Sequence, residues 1–205
     1  MKTIAIFGFG NVGQTLATLF RKAGYDIIIC SKDGDNGSEI YTSATYELGI
    51  KQADAIALAI PYQAVSDVLT PLKHALSGKI IIECTNPLND DWSPLLLGQE
   101  TSAAEQIALI AKDAHVVKAF NTIFADAMAM EYDSVNELLT TAFIAGDDEN
   151  SKHAVLSLAK RMGFGPLDVG PLMVTRYLEA MAHLNIQIAV GQGSGTQANF
   201  VYRQG

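Results

Sequence analysis

Residues 8–13, Gly8-Phe9-Gly10-Asn11-Val12-Gly13, directly follow an apolar β-branched run, Thr3 to Phe7, and open a stretch with Leu16, Leu19 and Phe20 on one helical side. Few short patterns restrict a chain more. The first glycine permits a tight strand-to-helix turn, the second lets a pyrophosphate approach the backbone, and the third lets helix and strand pack closely. N–H groups at the helix start, aided by the helix dipole, then hold the anion. This context predicts a dinucleotide site built from residues 8–13.

Beyond that motif, short apolar runs alternate with helical patterns: Asp26 to Cys30, Ala53 to Ile60, Lys79 to Cys84, His115 to Ala119, Thr141 to Ala145 and Gly165 to Val169. Continuous hydrophobicity is what strands buried on both faces require, so a mostly parallel, helix-covered sheet is expected. The pattern is α/β, a doubly wound, mostly parallel Rossmann sheet. Between Cys30 and Ala53 there is too little chain for a full crossover helix plus strand, and Lys32 to Ser38 reads as loop, so a truncated third strand is expected. Asp147 and Asp148 are placed to cap a helix ending near Met162 with Gly163 as its stop, and a last helix is expected from Val174 to Val190. With no internal repeat or long linker, residues 1–205 read as one domain with a C-terminal α/β extension from about 146 to 205.

Charge narrows the partners. Lys plus Arg number 14 against 22 Asp plus Glu, and a net charge of -8 repels a phosphate backbone, so nucleic acid is not an expected partner. No apolar run approaches the roughly 18 residues that cross a bilayer, and Gly8, Gly10, Asn11, Gly13 and Gln14 interrupt the N-terminal apolar stretch, so neither membrane span nor secretion signal is expected. Cys30 and Cys84 each end a strand-like run. They read as buried thiols in a cytoplasmic protein rather than as a disulfide.

In open α/β sheets ligands bind outside the carboxyl ends of the strands. The second strand ends Ile29-Cys30-Ser31-Lys32, where an NAD site usually has an acidic residue for the ribose hydroxyl; Ser31 and Lys32 suit the 2′-phosphate of NADP instead. The alternative, a polar loop with Asp33 serving the ribose, stays open. Ile60-Pro61-Tyr62, Thr85-Asn86-Pro87-Leu88 and Ala119-Phe120-Asn121-Thr122 end three further strands at the same edge, with Pro61 and Pro87 placed to turn the chain over the nicotinamide half.

The N-terminal fingerprint, Ser31-Lys32, Thr85-Asn86-Pro87-Leu88, Val116-Val117-Lys118-Ala119-Phe120-Asn121-Thr122 and Arg176-Tyr177-Leu178-Glu179 together resemble the NADP oxidoreductase family that includes the deazaflavin (coenzyme F420)-dependent enzymes. The reductase domain of the STEAP metalloreductases shares the pattern. The resemblance spans nearly the whole chain. It implies an NADP-binding Rossmann core and a hydride passed to a flavin-like ring near the nicotinamide, contacted by the Tyr62 and Ala119 to Thr122 turns. Two departures stand out: the segment after Lys32 is short, and Tyr62-Gln63 replaces an aromatic residue followed by an acidic one and His.

Hydride transfer to a flavin demands positioning more than a protein acid, and no catalytic residue or metal ligand set is assigned from sequence. The chain lacks Tyr-x-x-x-Lys, and about sixty residues after Gly146 are too few for the all-helical domain of hydroxyacid dehydrogenases. Three functions are carried forward: reduction of a flavin, deazaflavin or similar small redox acceptor; a noncatalytic NADP-binding redox sensor or partner subunit; and a small carbonyl or imine reductase using Tyr62, Lys118 or His183 as proton donor. His183, four residues after Glu179, is expected to pair with it, the alternative being a wall of the second-substrate pocket. Arg176 is open between a substrate anion and a salt bridge, and Trp92 between covering the site and ordinary packing. The apolar face Leu178, Met181, Ala182, Ile186 and Ala189 predicts a homodimer.

Overall fold

A computed structural model describes residues 1–35, 38–95, 97, 100–130 and 139–204; Asn36 and Gly37 of the expected loop and Gly205 of the tail lie outside it. Among the described residues eight strands form one sheet in the order β3-β2-β1-β4-β5-β6-β7-β8. They are β1 (Thr3–Phe7), β2 (Asp26–Ser31), β3 (Thr42–Thr45), β4 (Ala55–Leu58), β5 (Ile80–Glu83), β6 (His115–Lys118), β7 (Thr141–Gly146) and β8 (Gly165–Gly170). All neighbours run parallel except β6 and β7, which pair antiparallel through Val117 with Gly146 and Lys118 with Ala145. The chain moves outward through β1, β2 and β3, then returns to start β4 on the other side of β1. That reversal opens a crevice at the carboxyl ends of β1 and β4.

Strand side chains alternate between two cores, one on each face. Ile4, Ile6, Ile27, Ile29, Ala57 and Ile82 pack with helix α1 (Asn11–Lys22) and helix α6 (Glu149–Arg161). Ala5, Phe7, Ile28, Cys30, Ile56 and Leu58 face the other way, toward α2 (Tyr46–Gln52), α3 (Tyr62–Leu69) and α4 (Ala103–Ile110). Burial on both sides is why these strands are apolar without alternation. In α1 the buried Gly13, Leu16, Ala17 and Phe20 follow helical spacing, and Arg21 and Lys22 complement the dipole at its end.

The third strand is short, as expected. Its four residues pair with β2 from Ile28 to Ser31, and no helix occupies the described part of the connection before it. Helix α2, capped by the Thr45 hydroxyl accepting from Leu48 N–H at 3.4 Å, was not anticipated. Asp148 caps α6 by accepting from Ser151 N–H at 2.8 Å, and Gly163 (φ 93°) stops the helix. A four-residue helix α5 (Ala125–Met128) follows β6. The last helix, α7 (Thr175–Ile186), widens into a π-type turn over Gln187–Gly191.

One expectation about α7 fails. Leu178, Ala182, Ile186 and Ala189 are buried by their own chain, with Phe143 and Ala145 of β7 packed on Leu178. The small extension covers that face because α7 lies across the carboxyl ends of the strands rather than projecting from them. Among the described residues no helix is long and apolar enough to cross a membrane.

Candidate dinucleotide and acceptor site

Gly8 leaves β1 at φ 99°, and a Cβ there would stand 2.6 Å from the Ala59 carbonyl oxygen. A Cβ on Gly13 would stand 2.2 Å from the Gly8 carbonyl oxygen, so this glycine lets α1 press against the turn. Gly10 differs. Its backbone is extended (φ -74°, ψ -168°), and a Cβ would meet nothing within 4 Å. A Cβ at Gly10 meets no atom of the chain, so packing within the fold does not require a glycine there. Gly10 also begins α1 without a side-chain cap, and the first turn carries no acidic residue, which leaves its N–H groups to an external anion. Gln14 donates to the Phe9 carbonyl at 2.9 Å and pins the turn.

From this turn a cleft of about 690 Å³ extends along the strand ends. Gly10, Asn11 and Val12 form one end, and Ile60, Pro61 and Tyr62 after β4 form a wall. Asn86 after β5 faces Phe120, Asn121 and Thr122 after β6. These ten of the sequence-expected residues converge. Gly8, Phe9, Gly13, Pro87 and Ala119 shape the turns from behind without lining the cleft, and Ser31 and Lys32 stand outside it at the end of β2.

Hydrogen bonds cross-link its centre. Asn121 Nδ2 donates to Asn86 Oδ1 at 2.9 Å and to the Leu178 carbonyl at 3.1 Å, while Asn86 Nδ2 donates to the Asn121 carbonyl at 2.8 Å. Phe120 holds a left-handed backbone (φ 66°), rare outside glycine, with its ring against Phe20 and Phe164. Strain of this kind persists only where the surroundings impose it. Two buried polar atoms on the lining residues, Thr85 Oγ1 and Asn121 Oδ1, have no hydrogen-bond partner. Native interiors rarely leave such atoms unpaired.

Beneath the floor lies a buried charged triad. Lys118 Nζ donates to Glu83, to Glu179 at 3.0 Å and to the Thr85 carbonyl at 2.9 Å, with the lysine fully buried. Burial works against the charge, but the two carboxylates outweigh it and hold the Lys118 pKa above its ordinary value. Glu83 also accepts from Thr85 N–H at 2.5 Å, and Glu179 from Ala103 N–H at 3.0 Å at the start of α4. Each oxygen and each lysine hydrogen finds a partner, the condition under which buried charge is tolerated. Glu179 therefore does not serve His183. The helix turns Glu179 inward to a cation that no i, i+4 rule could reveal, and His183 Nε2 bonds the Pro87 carbonyl at 3.2 Å instead. Desolvation lowers the His183 pKa.

At the end of β2, the Ser31 hydroxyl is shared between Asp33 Oδ1 and the Asp35 carbonyl, both at 2.8 Å. That bond holds the Asp33 carboxyl below its ordinary pKa. Lys32 is exposed.

The opposite end of the cleft was largely invisible to sequence reasoning. Asp126 and Met128 of α5, with Ala182, Asn185 and Ile186 of α7 and Thr196 of the tail, line it. The Thr196 hydroxyl donates to Asp126, and Asn185 Nδ2 donates to the Thr122 carbonyl at 3.2 Å, so tail and helix are tied to the turn after β6. The helical burial period of α7 was the available signal. Trp92, half exposed at φ 67°, borders the cleft on a loop closed by the Ser93 hydroxyl donating to Asp91 at 2.6 Å. Arg176 is a salt bridge, bidentate to Glu105 at 2.7 and 2.8 Å. His74 and His153 are exposed, and His115 reaches Asp148 at 3.9 Å.

A dinucleotide fits these residues. The open Cβ position at Gly10, the uncapped helix start and the two orphaned polar atoms at the centre of the cleft each await a partner that the chain does not supply.

Comparisons with known proteins agree with this geometry. The family model described as NADP oxidoreductase, coenzyme F420-dependent, matches residues 3–87. The F420-dependent NADP reductase of Methanocaldococcus jannaschii is 30% identical, over 93% of this chain and 93% of its own. The rat metalloreductase STEAP3 is 31% identical over 87% of this chain, which spans only 36% of that protein. A solved structure from Arthrobacter sp. FB24, a candidate F420-dependent NADP reductase, superposes over the full length of both chains with a TM-score of 0.87 at 23% identity. With similarity to the archaeal enzyme running over nearly the whole of both chains, this chain belongs to the coenzyme F420-dependent NADP oxidoreductase family.

Proposed function

We propose that this protein transfers a hydride between NADPH and a flavin, deazaflavin or similar small acceptor. The observation that carries the reading is Gly10, a glycine whose side-chain space is empty and whose neighbours are the bare N–H groups of α1. The pyrophosphate sits on that helix start, and Ser31 and Lys32 face the 2′-phosphate. Pro61, Tyr62 and the Asn86–Pro87 turn confine the nicotinamide. Thr85 Oγ1 and Asn121 Oδ1 offer a hydrogen-bond partner each to its carboxamide. Bound there, NADPH supplies two electrons and one hydrogen as hydride. The protein's own part is to orient two rings and exclude water between them.

A carbonyl reductase is the weaker reading, because its proton donor is missing. Lys118 has all three hydrogens engaged in the interior, and desolvation pushes the Tyr62 hydroxyl pKa up from an already high ordinary value. Metal reduction by the STEAP relatives belongs to proteins nearly three times longer. The buried free thiols of Cys30 and Cys84 suit a reducing cytoplasm, and burial pushes Cys30 up to about 12. For the homodimer, support comes from a different side of α7 than the sequence indicated: Tyr177, Leu184 and Ile188 are 71%, 53% and 43% exposed along one stripe.

The test is NADPH oxidation with riboflavin, FMN, a deazaflavin, a quinone and a ferric chelate as acceptors. Turnover with at least one is expected; tight NADPH binding without turnover on any would establish the noncatalytic alternative.

A further inference from the structure

We propose that the buried Glu83–Lys118–Glu179 triad places a net negative charge beneath the nicotinamide end of the cleft, and that this charge favours the cationic ring of NADP⁺ over the uncharged ring of NADPH. The bound reduced cofactor is thereby a stronger hydride donor. This rests on the NADP reading above and gives an electrostatic role to residues that touch no ligand.

The count of charges follows from the hydrogen bonds. Glu83 accepts from Thr85 N–H and from Lys118, and Glu179 accepts from Lys118, from Ala103 N–H at 3.0 Å and from Ala104 N–H at 3.3 Å. Every carboxylate oxygen faces donors. A proton on either group would need an acceptor, and none of these partners is one, so both remain anions. Lys118 is the single cation among them, its hydrogens given to Glu83, Glu179 and the Thr85 carbonyl. Two anions and one cation leave one negative charge. The start of α4, whose N–H groups meet Glu179, offsets about half of it. A surplus charge in a dry interior is costly, and well-packed apolar residues hold a fold together as well or better. A cationic ring bound above supplies what the triad lacks.

Only one residue separates the triad from the cleft. Glu83 and Lys118, both fully buried, hold the N–H and the carbonyl of Thr85, and Thr85 lines the cleft. The field reaches the wall. Desolvation raises the pKa of the Tyr62 hydroxyl first, then Glu179 and Glu83 raise it, each ahead of the opposing Lys118. At the lining thiol of Cys84, raised first by burial, Glu83 again outweighs Lys118. Negative potential at both groups is the sign that stabilises a cation.

Other charges leave that sign unchanged. No Lys, Arg or His occurs among the described lining residues, whose charged members are Asp90 and Asp126. Lys32 stands outside the cleft, Arg176 is bidentate on Glu105, and Lys152 is held by Glu149 and Asp168. Arg203 is exposed, next to Tyr202 whose N–H bonds Thr141 at the start of β7, and water screens it there. His183 bonds the Pro87 carbonyl, and burial favours its neutral form. None of the residues outside the described part is basic.

In the balanced step, NADPH, an oxidised flavin or deazaflavin and one proton give NADP⁺ and the dihydro acceptor. The nicotinamide C4–H bond breaks, its hydrogen and both electrons leave together, and the ring is left one unit more positive. Fixed charge of the opposite sign, placed where that charge develops, favours its formation.

Dissociation constants for NADP⁺ and for NADPH are measured by isothermal titration on the unmodified protein, Glu179→Gln, Glu83→Gln and Glu179→Asp, with a thermal melt of each. Either Gln variant should raise the ratio Kd(NADP⁺)/Kd(NADPH) by about fivefold or more, the order expected of one unit charge acting through protein rather than bulk water. Fivefold is about 20 mV in the two-electron potential of the bound couple, at about 30 mV per tenfold. Glu179→Asp shortens the side chain and keeps its charge, so its ratio should stay within about twofold of the unmodified value. A structural role alone weakens both forms together and leaves every ratio unmoved. A ratio unmoved in a Gln variant that folds, a shift in Glu179→Asp as large as in Glu179→Gln, or failure of both Gln variants to fold overturns the inference. Binding of neither form by the unmodified protein refutes the NADP reading and takes the inference with it. Ratios that shift as stated in a protein that reduces no acceptor would instead refute hydride transfer and leave the charge effect standing.

Discussion

Two glycines three positions apart in the same turn meet different requirements. Gly13 is demanded by the protein, since its absent Cβ lies where a carbonyl oxygen stands, whereas Gly10 is demanded by what binds. Gly10→Val should weaken NADPH binding about tenfold or more, equivalent to at least ~1.4 kcal/mol, with a cooperative melt at nearly the wild-type temperature. Gly13→Ala should instead cost about 1–3 kcal/mol or more through overpacking against backbone, and lose NADPH binding only as it loses fold. Calorimetry beside isothermal titration separates the two, and unchanged NADPH affinity in Gly10→Val would sink the assignment of the turn. Cofactor choice is the other residue-scale matter. In the proposed NADP site Lys32 faces the 2′-phosphate, and the neighbouring Asp33, whose carboxyl Ser31 holds below its ordinary pKa, partly offsets it. Lys32→Asp should shift the NADPH-to-NADH ratio of dissociation constants toward NADH by roughly tenfold, the scale of one charge-assisted hydrogen bond. Tighter NADH binding by the unmodified protein would contradict an NADP site.

At the scale of elements, the Glu83–Lys118–Glu179 triad joins β5, β6, α7 and the start of α4 beneath the cleft. Lys118→Met leaves two carboxylates in the interior without their cation, so a loss of about 3–5 kcal/mol is expected in denaturant melts. A loss under about 1 kcal/mol would show that the triad is not structural. The Glu105–Arg176 pair joins α4 to α7 nearer the surface, and the guanidinium holds the Glu105 pKa below its ordinary value. A depressed carboxylate stabilises the fold above its unfolded pKa, about 4.3, and that stability is lost as pH falls through the folded value. Melting temperature should therefore fall below about pH 4, and less steeply in Arg176→Ala; parallel pH profiles for both proteins would remove this pair from the account.

For the whole molecule, the open question is assembly. The stripe Tyr177, Leu184 and Ile188 stays exposed while the opposite side of α7 is buried in its own chain. Sedimentation should give a dimer at micromolar concentration, and Ile188→Glu should give a monomer because a charge in an apolar contact is costly to desolvate. A monomer for the unmodified chain would leave the stripe without that role.

The succession of strands along the chain, the turn at residues 8–13, the short third strand and the cap at Asp148 were legible in the sequence, because each depends on local chemistry: continuous apolar runs, glycine spacing, a carboxylate at a helix start. What binds at the strand ends was legible in part, since the chain must end each strand at one edge of a parallel sheet. Contacts between distant segments were not. His183 was expected to meet Glu179 on their own helix, but Lys118 arrives from β6, 61 positions away, and its charge in a dry interior outweighs a surface pairing. Likewise the apolar period of α7 announces a buried face without saying whether the covering surface is the chain itself or a second copy. Only the packing of α7 across the sheet, which brings Thr122, Asp126 and Thr196 to one end of the cleft, decided that the buried face belongs to the site and the exposed one to the outside.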